Sequence, residues 1–137
     1  MWLADALTTE GRHQLFAQEL LALLYGDETL QCRFERYTKM LYDIGAAKWT
    51  IATYFLFLAS PETQIFLKPE VTKHAAKMLG VDIDYRPEVN WSTYSRVLRL
   101  AETLKHKLSE EKREELMPRD MIDVQSFIWV IGPSYFV

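Results

Sequence analysis

With 137 residues, 49% of them hydrophobic and 26% charged, the chain has enough apolar surface for one folded domain and is too apolar for a disordered segment. Its net charge of −3 excludes a globally basic nucleic-acid binder, though not a local basic patch, and its single cysteine, Cys32, excludes an internal disulfide and a cysteine-based metal site. The aromatic share of 13% is generous; most rings are expected to fill a core, and some to line a groove or a partner surface.

The first residues include Trp2, Leu3 and Leu7 and read as packed; Asp5 and the absence of a basic lead-in argue against a secretory signal. Thr8 or Thr9 is expected to cap a helix reaching Tyr25, with Leu15, Phe16, Leu20, Leu23 and Leu24 at three- and four-residue spacing and Gly26 as a left-handed stop. Asp27 then caps a second helix to Ile44. Its stripe is Leu30, Phe34, Tyr37, Met40, Leu41 and Ile44, while Arg33, Glu35, Arg36 and Lys39 take the wet side and Gly45 stops it. Cys32 lies among apolar neighbours and is expected to be buried; one unpaired thiol suits a reducing cytoplasm.

The stretch from Ala46 to Pro69 carries the most apolar run. Trp49 to Ala59 leaves almost no polar face and predicts a central helix buried on all sides; a buried strand competes, but the alanine content and the lack of alternation favour helix. At 11 residues it is short of the roughly 20 that span a bilayer, so a soluble, cytoplasmic protein without a membrane partner is expected. Ser60-Pro61 breaks the helix, with Ser60 as a cap and Pro61 at a first helical position.

Residues 64–68 read as extended, because Lys68 precedes Pro69. Pro69 opens a fourth helix with Val71, Ala75, Met78 and Leu79 inward and Lys73 and Lys77 outward, closed by Gly80. After the connection from Val81 to Asn90, Asn90 caps a fifth helix to about Leu108, striped by Tyr94, Val97, Leu98, Ala101, Leu104 and Leu108. Ser109 to Met117 is a charged helical extension and Pro118 breaks it. Asp120 caps a last helix whose Ile122, Val124, Phe127, Ile128 and Ile131 read as core, with Gly132-Pro133 as its end. The expected fold is all-α: one domain over residues 1–137 with about six or seven helices.

Catalytic motifs are sparse. His13, His74 and His106 stand apart, and the Glu10–His13 spacing lacks the second copy that a carboxylate-bridged metal site requires, so neither metal nor cofactor is expected. Glu70 and His74, four apart on one helix, are the weak candidates for an acid–base pair; an ordinary surface pairing explains them as well. No nucleophile elbow or phosphate loop is present. Lys68, Lys73, Lys77 and Arg119 are the candidate nucleic-acid contacts, Lys68 and Lys73 standing beside a helix start, with scattered surface lysines as the plainer explanation. Trp91, next to a cap, and Tyr85 are candidates for partly exposed rings that stack on a base or a ligand, with core packing as the plainer explanation.

Two resemblances follow from these segments. PRDMIDVQSFIWVI (Pro118 to Ile131), with KWTIATYFLFLASPETQIFLKPEVTKHAAKMLG, resembles a family of uncharacterised bacterial helical domains found alone or beside restriction and phage-defence modules. The likeness covers about Gly45 to Ile131 and implies a bacterial or mobile-element origin, with no activity to carry over. Trp49-Thr50, Ala52, Tyr54, Phe66-Leu67 and Pro69-Glu70 are faintly similar to the segment of helix-hairpin-helix DNA glycosylases that leads to their catalytic Asp. That likeness implies Glu70 as the acid, although the glycine-rich hairpin is absent and Glu stands for Asp. The function expected is a non-enzymatic helical module that binds a protein or its own copy as a homodimer. The alternative is a nucleic-acid-associated domain of a defence or mobile-element system, and a glycosylase-like enzyme comes third.

Overall fold

Apolar stripes at helical spacing become helices wherever the structure describes them. The computed structural model describes residues 11–110, 118 and 120–131. Among these the order is α1 (Arg12–Tyr25), α2 (Leu30–Asp43), α3 (Trp49–Ala59), α4 (Pro69–Met78), α5 (Trp91–Glu110) and α6 (Met121–Ile131), with no strand. The fold is all-α, a single compact domain. The expected caps at Thr8 and Thr9, the charged run 111–117, Arg119 and Gly132-Pro133 lie outside the described residues.

Helices α1 and α2 form an antiparallel hairpin with the most extensive pairing in the fold, and α4 packs mainly on α6, which also meets α5. Phe34, Tyr37, Leu41, Trp49, Leu67, Tyr94, Val97 and Ile128 fill the shared core. The hairpin turn differs from expectation at two residues. Gly26 is extended (φ −69°, ψ 159°) rather than left-handed, and glycine is required there because a Cβ would run into the carbonyl of Ala22. Asp27 does not cap α2; the Thr29 hydroxyl accepts from Cys32 N at 3.2 Å. The Arg33 guanidinium reaches back to donate to the carbonyls of Leu23 and Glu28, satisfying backbone acceptors at the turn. Gly45 does stop α2 in the left-handed region, at φ 74°.

Segment 64–68 is not helical, and side chains rather than a sheet satisfy its backbone. Leu67 N donates to the Thr53 hydroxyl at 2.9 Å, Phe66 N to Gln125 Oε1 at 3.2 Å, and Ile65 O accepts from the Tyr94 hydroxyl at 3.3 Å. Met121 N donates to Pro61 O at 2.7 Å, so the start of α6 is tied to the turn before this segment. Pro61 launches only that single turn, with Thr63 N and Gln64 N donating to Ser60 O, and not the helix start expected of it. Connection 81–90 is pinned by Trp49 Nε1 donating to Arg86 O at 2.9 Å and by the Thr93 hydroxyl donating to Asp84 O at 2.6 Å. Asn90 caps α5 by accepting from Thr93 N, and Asp120 caps α6 by accepting from Ile122 N and Asp123 N.

Several residues expected inside lie outside. Cys32 is exposed, on the side of α2 opposite Phe34, Tyr37 and Leu41. Helix α3 is not buried all round: Trp49, Ala52, Thr53 and Leu56 face the core, while Tyr54, Leu58 and Ala59 face out. On α4 the buried face is Val71, Thr72, Ala75 and Ala76. Met78 stands about a quarter-turn off it and Leu79 lies past the last turn, so both are exposed. Ile122 of α6 is exposed as well, while Val124 and Ile128 are core.

Candidate functional site

The residues named from the sequence as an acid–base pair do not form one. Glu70, its side chain 83% exposed, pairs with Lys73 at 3.0 Å, and that hydrogen bond raises the Lys73 ammonium above its ordinary range. His74 is half-buried on the same helix. Two of the basic candidates rest on different rings. Lys68 lies 4.2 Å from the centre of the Trp129 ring, Lys73 lies 4.7 Å from that of Tyr85 as well as beside Glu70, and Lys77 is exposed. Arg119 is outside the described residues. Tyr85 and Trp91 are half-buried and pack against the core, between the core packing and the partial exposure that the sequence allows. Among the described residues no cluster of three or more His, Cys, Asp or Glu could hold a metal ion, and no helix is long and apolar enough to cross a membrane.

Three other surfaces have distinct chemistry. The first is aromatic. Tyr54 meets Phe66 edge-on at 5.6 Å and Phe57 stacks on Phe66 at 6.3 Å, so the outer side of α3 continues across segment 64–68. Phe66 N is held by Gln125, and one turn further along α6 stands Trp129, 40% exposed beneath Lys68. With Leu58 at 56% and Tyr54 at 44% exposure, this face presents large apolar groups to solvent.

The second surface is a groove of about 380 Å³ between α2 and the entry to α5. Thr38, Lys39, Tyr42 and Trp91 are among the residues that line it. The third is a smaller hollow of about 320 Å³ beside α5, where Arg96 and Arg99 stand near Asp82 and Thr103. Arg96 already donates to Asp82 O at 3.4 Å. Neither hollow contains Glu70 or His74.

Sequence reasoning passed over Thr38, Leu58 and Trp129 and used Tyr54 and Phe66 only in the glycosylase likeness. A usable signal existed at Thr38, a hydroxyl set inside an otherwise apolar stripe. None existed for α3, because a helix apolar on every side carries no phase from which its exposed face can be read. Comparison of the chain with protein-family models, with curated proteins and with solved structures found no match.

Proposed function

We propose that the protein is a non-catalytic helical interaction module of a bacterial cytoplasm, and that its aromatic face docks a second copy of the same chain. The observation that carries this reading is the exposure of Leu58 and Tyr54 on α3, a helix without a single charged residue, continuous by ring contact with Phe66. Charges normally keep a helix face in water and hold like surfaces apart, and their absence here leaves two copies of α3 free to meet across a two-fold axis. Large apolar patches on soluble domains commonly mark partner sites.

A second reading, a nucleic-acid-associated domain of a defence or mobile-element system, is supported by the pairing of basic groups with rings. Lys68 sits over Trp129 and Lys73 over Tyr85, and such ammonium–aromatic pairs suit a single strand whose bases stack while its phosphates are neutralised. The tie between Lys73 and Glu70 weakens it. The glycosylase-like reading has the least support, since Glu70 stands in open solvent beside an ammonium group.

Static light scattering over a concentration series, repeated with a short single-stranded oligonucleotide, tests both leading readings. The expected result is a concentration-dependent dimer whose mass does not respond to the oligonucleotide. A monomer that gains mass with the oligonucleotide at low salt and releases it at high salt would replace the first reading by the second. A monomer indifferent to both conditions would reject the pair.

A further inference from the structure

A two-fold axis running along α3 sets the helices of two copies parallel, and one running across it sets them antiparallel. Successive residues of a helix turn by about 100°, which puts Ile51, Tyr54 and Leu58 in one stripe. Tyr54 is 44% and Leu58 56% exposed, so both side chains reach solvent, and Ile51 is half-buried beside them. Rings border the stripe: Phe55 meets Phe16 edge-on at 6.0 Å, and Phe57 stacks on Phe66.

The nearest charges along the chain stand one at each end of this helix. Lys48, exposed, immediately precedes the first turn, and Glu62, exposed, lies in the turn that follows the last. Neither side chain has a hydrogen-bond or ion partner among the described residues. Both oppose their own helix. The N-terminal end of α3 carries partial positive charge and bears a lysine, while the C-terminal end carries partial negative charge and is followed by a glutamate. In a parallel pair like ends stand side by side and the conflict grows. In an antiparallel pair the lysine end of one copy meets the glutamate end of the other, and both conflicts are relieved.

The apolar stripe and the charged ends agree on where the axis falls. Midway between Tyr54 and Leu58 is Leu56, and midway between Lys48 and Glu62 is Phe55. We infer that a second copy docks with its α3 antiparallel to the first, about an axis crossing the helix at Phe55 and Leu56. Tyr54 then packs against the second copy's Leu58, and Lys48 pairs with the second copy's Glu62. The inference rests on the dimer reading proposed above and adds to it the direction and register of the pair.

The test measures distances between spin labels in the full chain, with the exposed Cys32 changed to serine and a label on Lys48→Cys or on Glu62→Cys. Both labelled positions are exposed, so the fold and the apolar stripe stay intact. Lys48→Cys chains alone should give an interspin distance of about 25 Å, from the helix rise on both sides of the axis and the spacing of packed helices. An equal mixture of the two labelled chains should add a distance of about 10 Å. The reverse pattern, short for Lys48→Cys alone and long for the mixed pair, overturns the antiparallel register and leaves the dimer reading standing. Chains that light scattering shows to be monomeric overturn both. In unlabelled protein, Lys48→Glu should weaken dimerisation about fivefold, and adding Glu62→Lys should restore it. Equal dimerisation by Lys48→Glu and the original chain would overturn the pairing of the ends.

Discussion

Thr53 does more for this fold than its small side chain implies. Fully buried, its hydroxyl donates to Trp49 O at 2.8 Å and accepts from Leu67 N at 2.9 Å, so one oxygen joins α3 to the segment that follows it. Thr53→Val keeps the shape and leaves the Leu67 N–H buried without an acceptor, which should cost about 1–3 kcal/mol in urea unfolding. Thr53→Ser keeps the oxygen and should recover most of that loss; equal destabilisation by the two variants would mean that the methyl group, not the hydroxyl, matters. Neither Thr53 nor Cys32 was legible in the sequence. A threonine in an apolar run and a cysteine among leucine and phenylalanine both look like filler, until the helix phase shows one facing a backbone donor and the other facing water.

At the scale of elements, the helices were legible and their faces only partly so. Starts were readable where an Asx side chain or proline stands at the boundary, as at Asn90, Asp120 and Pro69, because the unsatisfied N–H groups of a first turn demand particular residues there. Between Gly26 and Leu30, Asp27 and Thr29 both have the chemistry of a cap, and the backbone path around Gly26 selected Thr29. The amphipathic helices α2 and α5 showed their inner faces through periodicity. Helix α3 did not, and its outward residues are where function is proposed. Leu58→Glu places a charge on that face where the side chain is already largely in water. It should therefore leave thermal stability within about 0.5 kcal/mol while shifting the scattering mass toward monomer. Unchanged mass in a folded Leu58→Glu variant would remove α3 from the interface.

Among the described residues of the whole molecule, two buried tyrosines respond to alkali. Burial raises both Tyr37 and Tyr94 well above their ordinary value of 10.0. In the unfolded chain these phenols titrate near 10.0, while in the folded chain they stay protonated to higher pH. Stability is therefore at its full value below that pH and falls as the pH climbs beyond it, because the unfolded state releases protons first. Urea midpoints should decline above about pH 10, and Tyr94→Phe should flatten the decline while lowering the plateau. An equally steep decline in that variant would place its origin elsewhere. At this scale function was least legible, since Tyr54 and Phe66, or Lys68 and Trp129, become neighbours on one surface only after the helices pack.

The ties that hold segment 61–67 fix an order of assembly. One of its partners, Thr53, is made before it, but Tyr94, Met121 and Gln125 are made well after it. On a ribosome the first three helices and this segment emerge with donors and acceptors pointing at groups that do not yet exist. The antiparallel pair α1 and α2 can close early through local contacts, whereas the layer that α4, α5 and α6 form against the segment must wait for α6. Until then the nascent chain displays Ile65, Leu67 and the inner side of α4, an apolar surface of the kind that chaperones hold. Helix α6 is thus the clasp of the structure, and the domain can shut only once its core residues through Ile128 are in place.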